Sequence, residues 1–543
     1  MPRADSRLER AGWWLAIVGP VAVAALVIAL IWPGMLPDVA YWDTGEFQTI
    51  LPIMGTAHPT GYPTYVLVGW LVNLLLTPLG EPAFRMNVLS LLCVAVAAAG
   101  TVHLVARLTG RTAIAMAAGV AVALTPAAWR LSTHADPHTL HLALVVLLLI
   151  GLVRWEQARR AAEASADRWL VIASIVFGLS VGNHSLTLLL AVPVGLFVLS
   201  VHPGILLRPR FLALCALALV GTIGAVYLEL PLRAGPFRAP LVYGKPDTWD
   251  GFWSIALAEQ FRGSLHDPFG ELPRKFADLT KLAVAQFGFL AIVLPVGFLA
   301  TAVRHWRYAL LTGSAMLITL VFNASYANAD IGRYYLGPVL WAWTWLGVLA
   351  ALVVEQLARW MPEVGTGDAA PSAHLDDDPE IDGAIEAPWR AGLPARLGGL
   401  LLAVVLGGLL LVPTATDFRR RAGLADSSHD TAARRWVEAV LAEVEPNAVI
   451  VSWWSKSTVL WYAQYVDHVR PDITVVDDRT RLDLDYGEAT DVIARFLDSR
   501  PVYVIRANDY DLRKVLDVFD LLPIGGPSTT ILYRVIAVRG AGG

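Results

Sequence analysis

A segment that crosses a lipid bilayer must satisfy its own backbone hydrogen bonds, and this chain carries apolar runs for about eleven such segments. They fall at residues 13–32, 84–104, 112–129, 139–153, 169–182, 186–201, 211–230, 282–302, 308–322, 336–357 and 397–412. Their length, without strict alternation, selects helices over the strands of a closed barrel. With 56% hydrophobic and only 16% charged residues, a soluble enzyme is excluded. A net charge of -4 with no clustered basic surface argues against a nucleic-acid partner. Cys93 and Cys215 both lie inside apolar runs, where a small hydrophobe packs well and no disulfide or metal site is expected.

The basic residues orient the runs, because short cytoplasmic loops retain Arg and Lys. Arg107 to Arg111, Arg154 to Arg160, Arg208 with Arg210, and Arg304 with Arg307 mark cytoplasmic ends. Arg3, Arg7 and Arg10 precede a first run too long for a signal peptide and without a small-residue cleavage site, so it reads as a retained span with a cytoplasmic amino end. Residues 1–415 form the expected transmembrane domain, with 33–83 as the first external loop and 231–281 as a long external loop. Within the first loop, 64–76 is apolar but short and reads as an interfacial or re-entrant helix. Residues 359–395, with Asp376-Asp-Asp-Pro-Glu380 among many Gly, Ala and Pro, read as a disordered cytoplasmic linker. From 416 to 543 the pattern alternates between strands (448–452, 473–476, 501–505, 530–538) and helices (456–466, 489–497, 512–521). The fold class is thus mainly α, a polytopic helical membrane protein of the plasma (bacterial inner) membrane, with a C-terminal external, periplasmic α/β domain.

The strip from Tyr41 to Pro63 concentrates the chemistry. It holds Asp43, Glu46 and His58, with Tyr62 close behind, and no Lys or Arg. Three proton-handling groups against a membrane are costly to keep without a task, so the strip reads as the active site. The bland alternatives are a capping box, from the Asp-x-x-Glu spacing, and an ordinary Pro-Gly turn. Asp136 and His138 fall on the same external side, where Asp136 before Pro137 also suits a plain helix start. Asn183 and His184 join two short runs at membrane depth, which a capped turn would also explain. Arg262 in the long loop suits an anionic substrate. Asp330 and Arg333, three apart, suit a local ion pair, but a guanidinium fork also matches phosphate oxygens.

In order along the chain, Asp43-Thr-Gly-Glu46, His58-Pro-Thr-Gly-Tyr-Pro63, Ala135-Asp-Pro-His-Thr-Leu-His141 and Gly182-Asn-His184 resemble a bacterial and animal family of polytopic proteins long filed as a domain of unknown function. That family includes the endoplasmic-reticulum protein O-mannosyltransferase and itself resembles the C-fold (GT-C) glycosyltransferases. The resemblance implies a polyprenyl-phosphate sugar donor, an exported protein or glycan acceptor, and sugar transfer, of mannose or a similar hexose, at the outer face of the bilayer. Carried over, Asp43 is the general base and Glu46 its partner. Family members often have Glu, a hydrophobe and Tyr where this chain has Asp136-Pro-His138. The scarcity of Lys and Arg near Asp43 leaves room for a divalent metal ion at Asp43, Glu46 and Asp136. The rival class is a transporter or lipid flippase with buried carboxylates, which tends to show paired internal repeats that are not visible in this sequence. A third reading is an assembly or receptor component with a dead site.

Overall fold

The computed structural model describes residues 5–328, 330–359, 393–506, 508–524 and 532–539. Most of the expected linker at 359–395 therefore lies outside the described residues. Among those described, eight helices are long and apolar enough to cross a membrane, or nine if a pair bent by 64° counts as one span. The remaining two expected runs are also helical, as Ala166–Asn183 and the shorter Ser185–Val201. The short apolar stretch after the strip is the helix Pro63–Leu75.

Proline sets where many of these helices begin. Pro63, Pro82, Pro126, Pro137 and Pro209 each occupy the first helical position, where the missing N–H has no partner to lose and φ is already helical. The bend between Thr112–Ala123 and Pro126–Ser132 has the same cause. Pro126 cannot continue the ladder, and the Thr125 hydroxyl caps the new segment by accepting from the Ala128 N–H.

The carboxyl-terminal part carries a five-stranded sheet: β1 (Val449–Val451), β2 (Thr474–Val476), β3 (Val502–Val504), β4 (Phe519–Pro523) and β5 (Tyr533–Val538), in the order β2-β1-β3-β5-β4. The first three are parallel, with Val449 opposite both Thr474 and Val502, while β5 runs antiparallel to β3 and β4. The helix expected at 512–521 is shorter and earlier, Asp509–Leu516, and β4 follows it. A Leu-rich run cannot by itself distinguish helix from strand, and here the pairing of Phe519 with Val538 decides.

This sheet unit is docked onto the strip. Helix Trp454–Tyr465 packs against helix Trp42–Ile53, where the Thr49 hydroxyl donates to the Thr458 carbonyl at 3.2 Å. The Tyr462 hydroxyl accepts from the Ala83 N–H at 3.0 Å. Arg434 bridges Asp38, ahead of the strip, to Asp467.

Gly45 has no room for a side chain, since a Cβ there would sit 2.1 Å from the Ala40 carbonyl oxygen and 2.9 Å from the Thr458 hydroxyl of the docked helix. Gly45→Ala should therefore cost about 1–3 kcal/mol through forced backbone movement. Thermal unfolding of the purified variant is expected to show a lowered Tm; an unchanged Tm would contradict this close approach.

Candidate active site

Helix Trp42–Ile53 opens at Trp42 with φ 63°, a left-handed conformation that is strained for a bulky residue. No side chain caps it, so the Asp43–Glu46 spacing is not a capping box. Asp43, in the first turn, lines a cavity of about 740 Å³. Its Oδ2 lies 2.8 Å from Arg333 Nη1, across 290 residues of sequence. Arg333 thus supplies the cation that the strip lacks.

Glu46, one turn on, is buried at 1% exposure and takes a different partner. Its two oxygens accept from the His58 backbone N–H and from His58 Nδ1, both at 2.7 Å. The expectation that Glu46 serves Asp43 is corrected here by the partners the two carboxylates take: Glu46 holds His58, whereas Asp43 pairs with Arg333. His58 Nε2 is 3.3 Å from the Tyr62 hydroxyl, and both rings line the cavity.

Asp136 does two things at once. Its Oδ1 caps helix Pro137–Arg160 by accepting from the His138 N–H at 2.8 Å and from His138 Nδ1 at 2.9 Å, while Oδ2 lies 3.6 Å from Arg333 Nη1. The helix-start reading of Asp136 and its place in the cavity wall are both present. The His138 and His184 rings are 4.7 Å apart, and Tyr334 packs on both. Asn183 stands behind the cavity wall, donating to the Pro137 carbonyl at 3.0 Å. Asp330 is gripped by Arg130 at 2.7 and 3.0 Å and lies 3.8 Å from Arg333 Nε, so the local pair is the weaker of Arg333's contacts. Arg262 lines the cavity from the long loop, exposed and 3.4 Å from Glu259.

Charge balance follows from these distances. Burial opposes ionisation of Asp136, but His138 and then Arg333 outweigh it and hold the carboxyl below the usual range. For His58, burial works against the charged ring, yet Glu46 and, further off, Asp43 win and raise it above its ordinary 6.5. Among the described residues no group of three or more His, Cys, Asp or Glu side chains is disposed to hold a metal ion. Glu46 is paired with His58, and Asp43 and Asp136 share Arg333, so these three do not form the donor set expected for a divalent ion.

Several cavity residues carried no readable signal. Trp454, 5.8 Å from His58 between ring centroids, comes from the sheet unit, and Tyr243 from the long loop. Trp42 and Tyr334 adjoin Asp43 and Arg333 in sequence, and that adjacency was the only available hint.

Residues 43–203 match the family model described as protein O-mannosyl-transferase TMEM260 N-terminal domain. Protein O-mannosyl-transferase TMEM260 of Mus musculus is 32% identical over 268 residues, which is 48% of this chain and 36% of that protein. The chain thus spans about a third of the length of the curated relative it matches. Among solved structures, ArnT from Cupriavidus metallidurans bound to undecaprenyl phosphate superposes with a TM-score of 0.60 at 16% identity, over 96% of this chain and 98% of that one. The Archaeoglobus fulgidus oligosaccharyltransferase, in complex with Zn and sulfate, gives 0.50 at 14% identity, over 90% and 68%. At such identities the likeness shows the fold, which is the C-fold that the motifs implied.

The Glu46–His58 pair makes stability depend on pH. Because the folded value of His58 lies above 6.5, the pair's contribution is fully present below that ordinary value and is lost as pH rises through the raised one. The Tm of the wild type should fall across this alkaline window, and that of His58→Gln should fall less. Parallel curves for the two proteins would contradict the pairing.

Proposed function

We propose, from the premise that residues 43–203 match the family model of the protein O-mannosyl-transferase N-terminal domain and that the chain shares the fold of ArnT, that this protein is a membrane glycosyltransferase. It moves a sugar, mannose or a similar hexose, from a polyprenyl-phosphate carrier to a hydroxyl of an exported protein or glycan. Its amino end is cytoplasmic, its sheet unit is external, and in a bacterium its membrane is the inner one. The observation that carries the reading is the Asp43–Arg333 pair in the wall of a cavity large enough for a sugar phosphate.

The two halves of that pair suit the two ends of a displacement. A phosphate matches the guanidinium fork at least as well as a carboxylate does, so the carrier competes with Asp43 for Arg333. Asp43, released, accepts the proton of the acceptor hydroxyl as its oxygen attacks the anomeric carbon. The new carbon–oxygen bond forms as the bond to phosphate breaks. The electron pair leaves with the phosphate, and Arg333 stabilises the charge that develops there. A single displacement of this kind inverts the anomeric configuration. Asp136, held ionised by His138 and Arg333, keeps the guanidinium in place when Asp43 lets go.

Asp43→Asn keeps the shape but cannot take a proton, so sugar transfer by matched amounts of folded protein should fall by roughly 100-fold or more. Arg333→Ala should lose use of the lipid donor, with only partial rescue by Arg333→Lys because the fork is gone. Near-normal transfer by Asp43→Asn would remove Asp43 as the base.

A further inference from the structure

Glu46, His58 and Tyr62 form a chain of groups that runs from the protein interior to the cavity and that the displacement above leaves unused. Glu46 is 1% exposed and accepts two hydrogen bonds, from the His58 backbone and from Nδ1. A carboxylate so buried needs a compensating charge, and His58 is the group in contact with it that can supply one. At the far side of the ring, Nε2 lies 3.3 Å from the Tyr62 hydroxyl, which has no other hydrogen-bond partner among the described residues.

The direction of that last bond depends on the proton at Nε2. Nδ1 donates to Glu46 in either state of the ring. In neutral His58, Nε2 is an acceptor, and the Tyr62 hydrogen points back at it. In protonated His58, Nε2–H donates to the Tyr62 oxygen, and the Tyr62 hydrogen is released toward the cavity that both residues line. A phosphate has acceptors only, so it gains from the second arrangement and not from the first.

We infer that Tyr62 donates a hydrogen bond to the carrier phosphate and that His58, kept as an imidazolium by Glu46, is what frees its hydroxyl to do so. This rests on the glycosyltransferase reading. It makes Tyr62 a residue that touches donor, and His58 and Glu46 positioning residues that act through it. The charged groups around His58 agree: Glu46 and Asp43 on helix Trp42–Ile53 favour the imidazolium, while Arg333 opposes it as the smaller influence. Tyr243 and Trp454 face the ring from the long loop and the sheet unit, and both are neutral. Across the cavity, burial keeps His184 neutral too.

The test is equilibrium binding of a short polyprenyl methyl phosphodiester, which has no titrating group of its own between about pH 5 and about pH 9, to purified full-length protein. Wild-type affinity should hold above the ordinary histidine value and then decline. In Glu46→Gln, the decline should move down by about one pH unit or more, giving roughly 10-fold weaker binding in the window between the two curves. Tyr62→Phe, which removes only a hydroxyl and covers the case in which Glu46→Gln fails to fold, should bind weakly at low pH and lose the pH dependence. Superimposable profiles for wild type and Glu46→Gln, or an intact decline in Tyr62→Phe, would overturn the inference while leaving the proposed function standing. No binding at any pH would overturn both.

Discussion

A guanidinium placed among three carboxylates is the contact on which the rest of the site depends. Arg333 meets Asp43 at 2.8 Å, Asp136 at 3.6 Å and Asp330 at 3.8 Å. Its largely buried side chain lines a cavity where an unpaired charge would cost several kcal/mol. Two of these partners also answer to a second group: Asp136 to His138, Asp330 to Arg130. Asp43 is the one of the three with no second ion pair among the described residues, and it is therefore the one proposed to exchange. In the proposed reaction, an ion pair that one ligand can divide would give the site a resting state and an active state without a large conformational change.

The sheet unit contributes to that arrangement rather than hanging from it. Gly45, between Asp43 and Glu46 on the same helix, is so closely packed by the Ala40 carbonyl and the Thr458 hydroxyl that a methyl group does not fit, and Trp454 closes the wall beside His58. The strain of the left-handed Trp42, whose ring meets Trp453 and Trp454, is held in place by the same contact. The active strip is thus clamped between the long apolar helices and the sheet unit.

Much of this was legible in the sequence, for reasons of scale. Apolar runs of bilayer length and the position of basic residues are strong, redundant signals, and they located the helices that became the scaffold. The residues Asp43, His58, Tyr62, Asp136, His138, His184, Arg262, Asp330 and Arg333 stood out as polar groups in an apolar setting, and the structure puts them around one cavity. Their pairing was not legible. The family resemblance made Glu46 the partner of Asp43, but in the fold Glu46 pairs with His58 and Asp43 with Arg333. Strip composition showed no cation because the cation comes from 290 residues away. Strand β4 was missed because the Leu-rich run 512–521 reads equally as helix or strand until its pairing with β5 is known.

The central claim is that carrier phosphate and Asp43 compete for Arg333. Binding of a sugar-free polyprenyl phosphate to Asp43→Asn, measured beside wild type and Arg333→Ala, tests it most directly. Removing the competing charge should leave Arg333 free, so Asp43→Asn should bind the phosphate at least as tightly as wild type, and Arg333→Ala much more weakly. Binding by Asp43→Asn that is weakened as far as in Arg333→Ala would contradict the account, because it would mean that Asp43 helps to hold the phosphate instead of yielding to it.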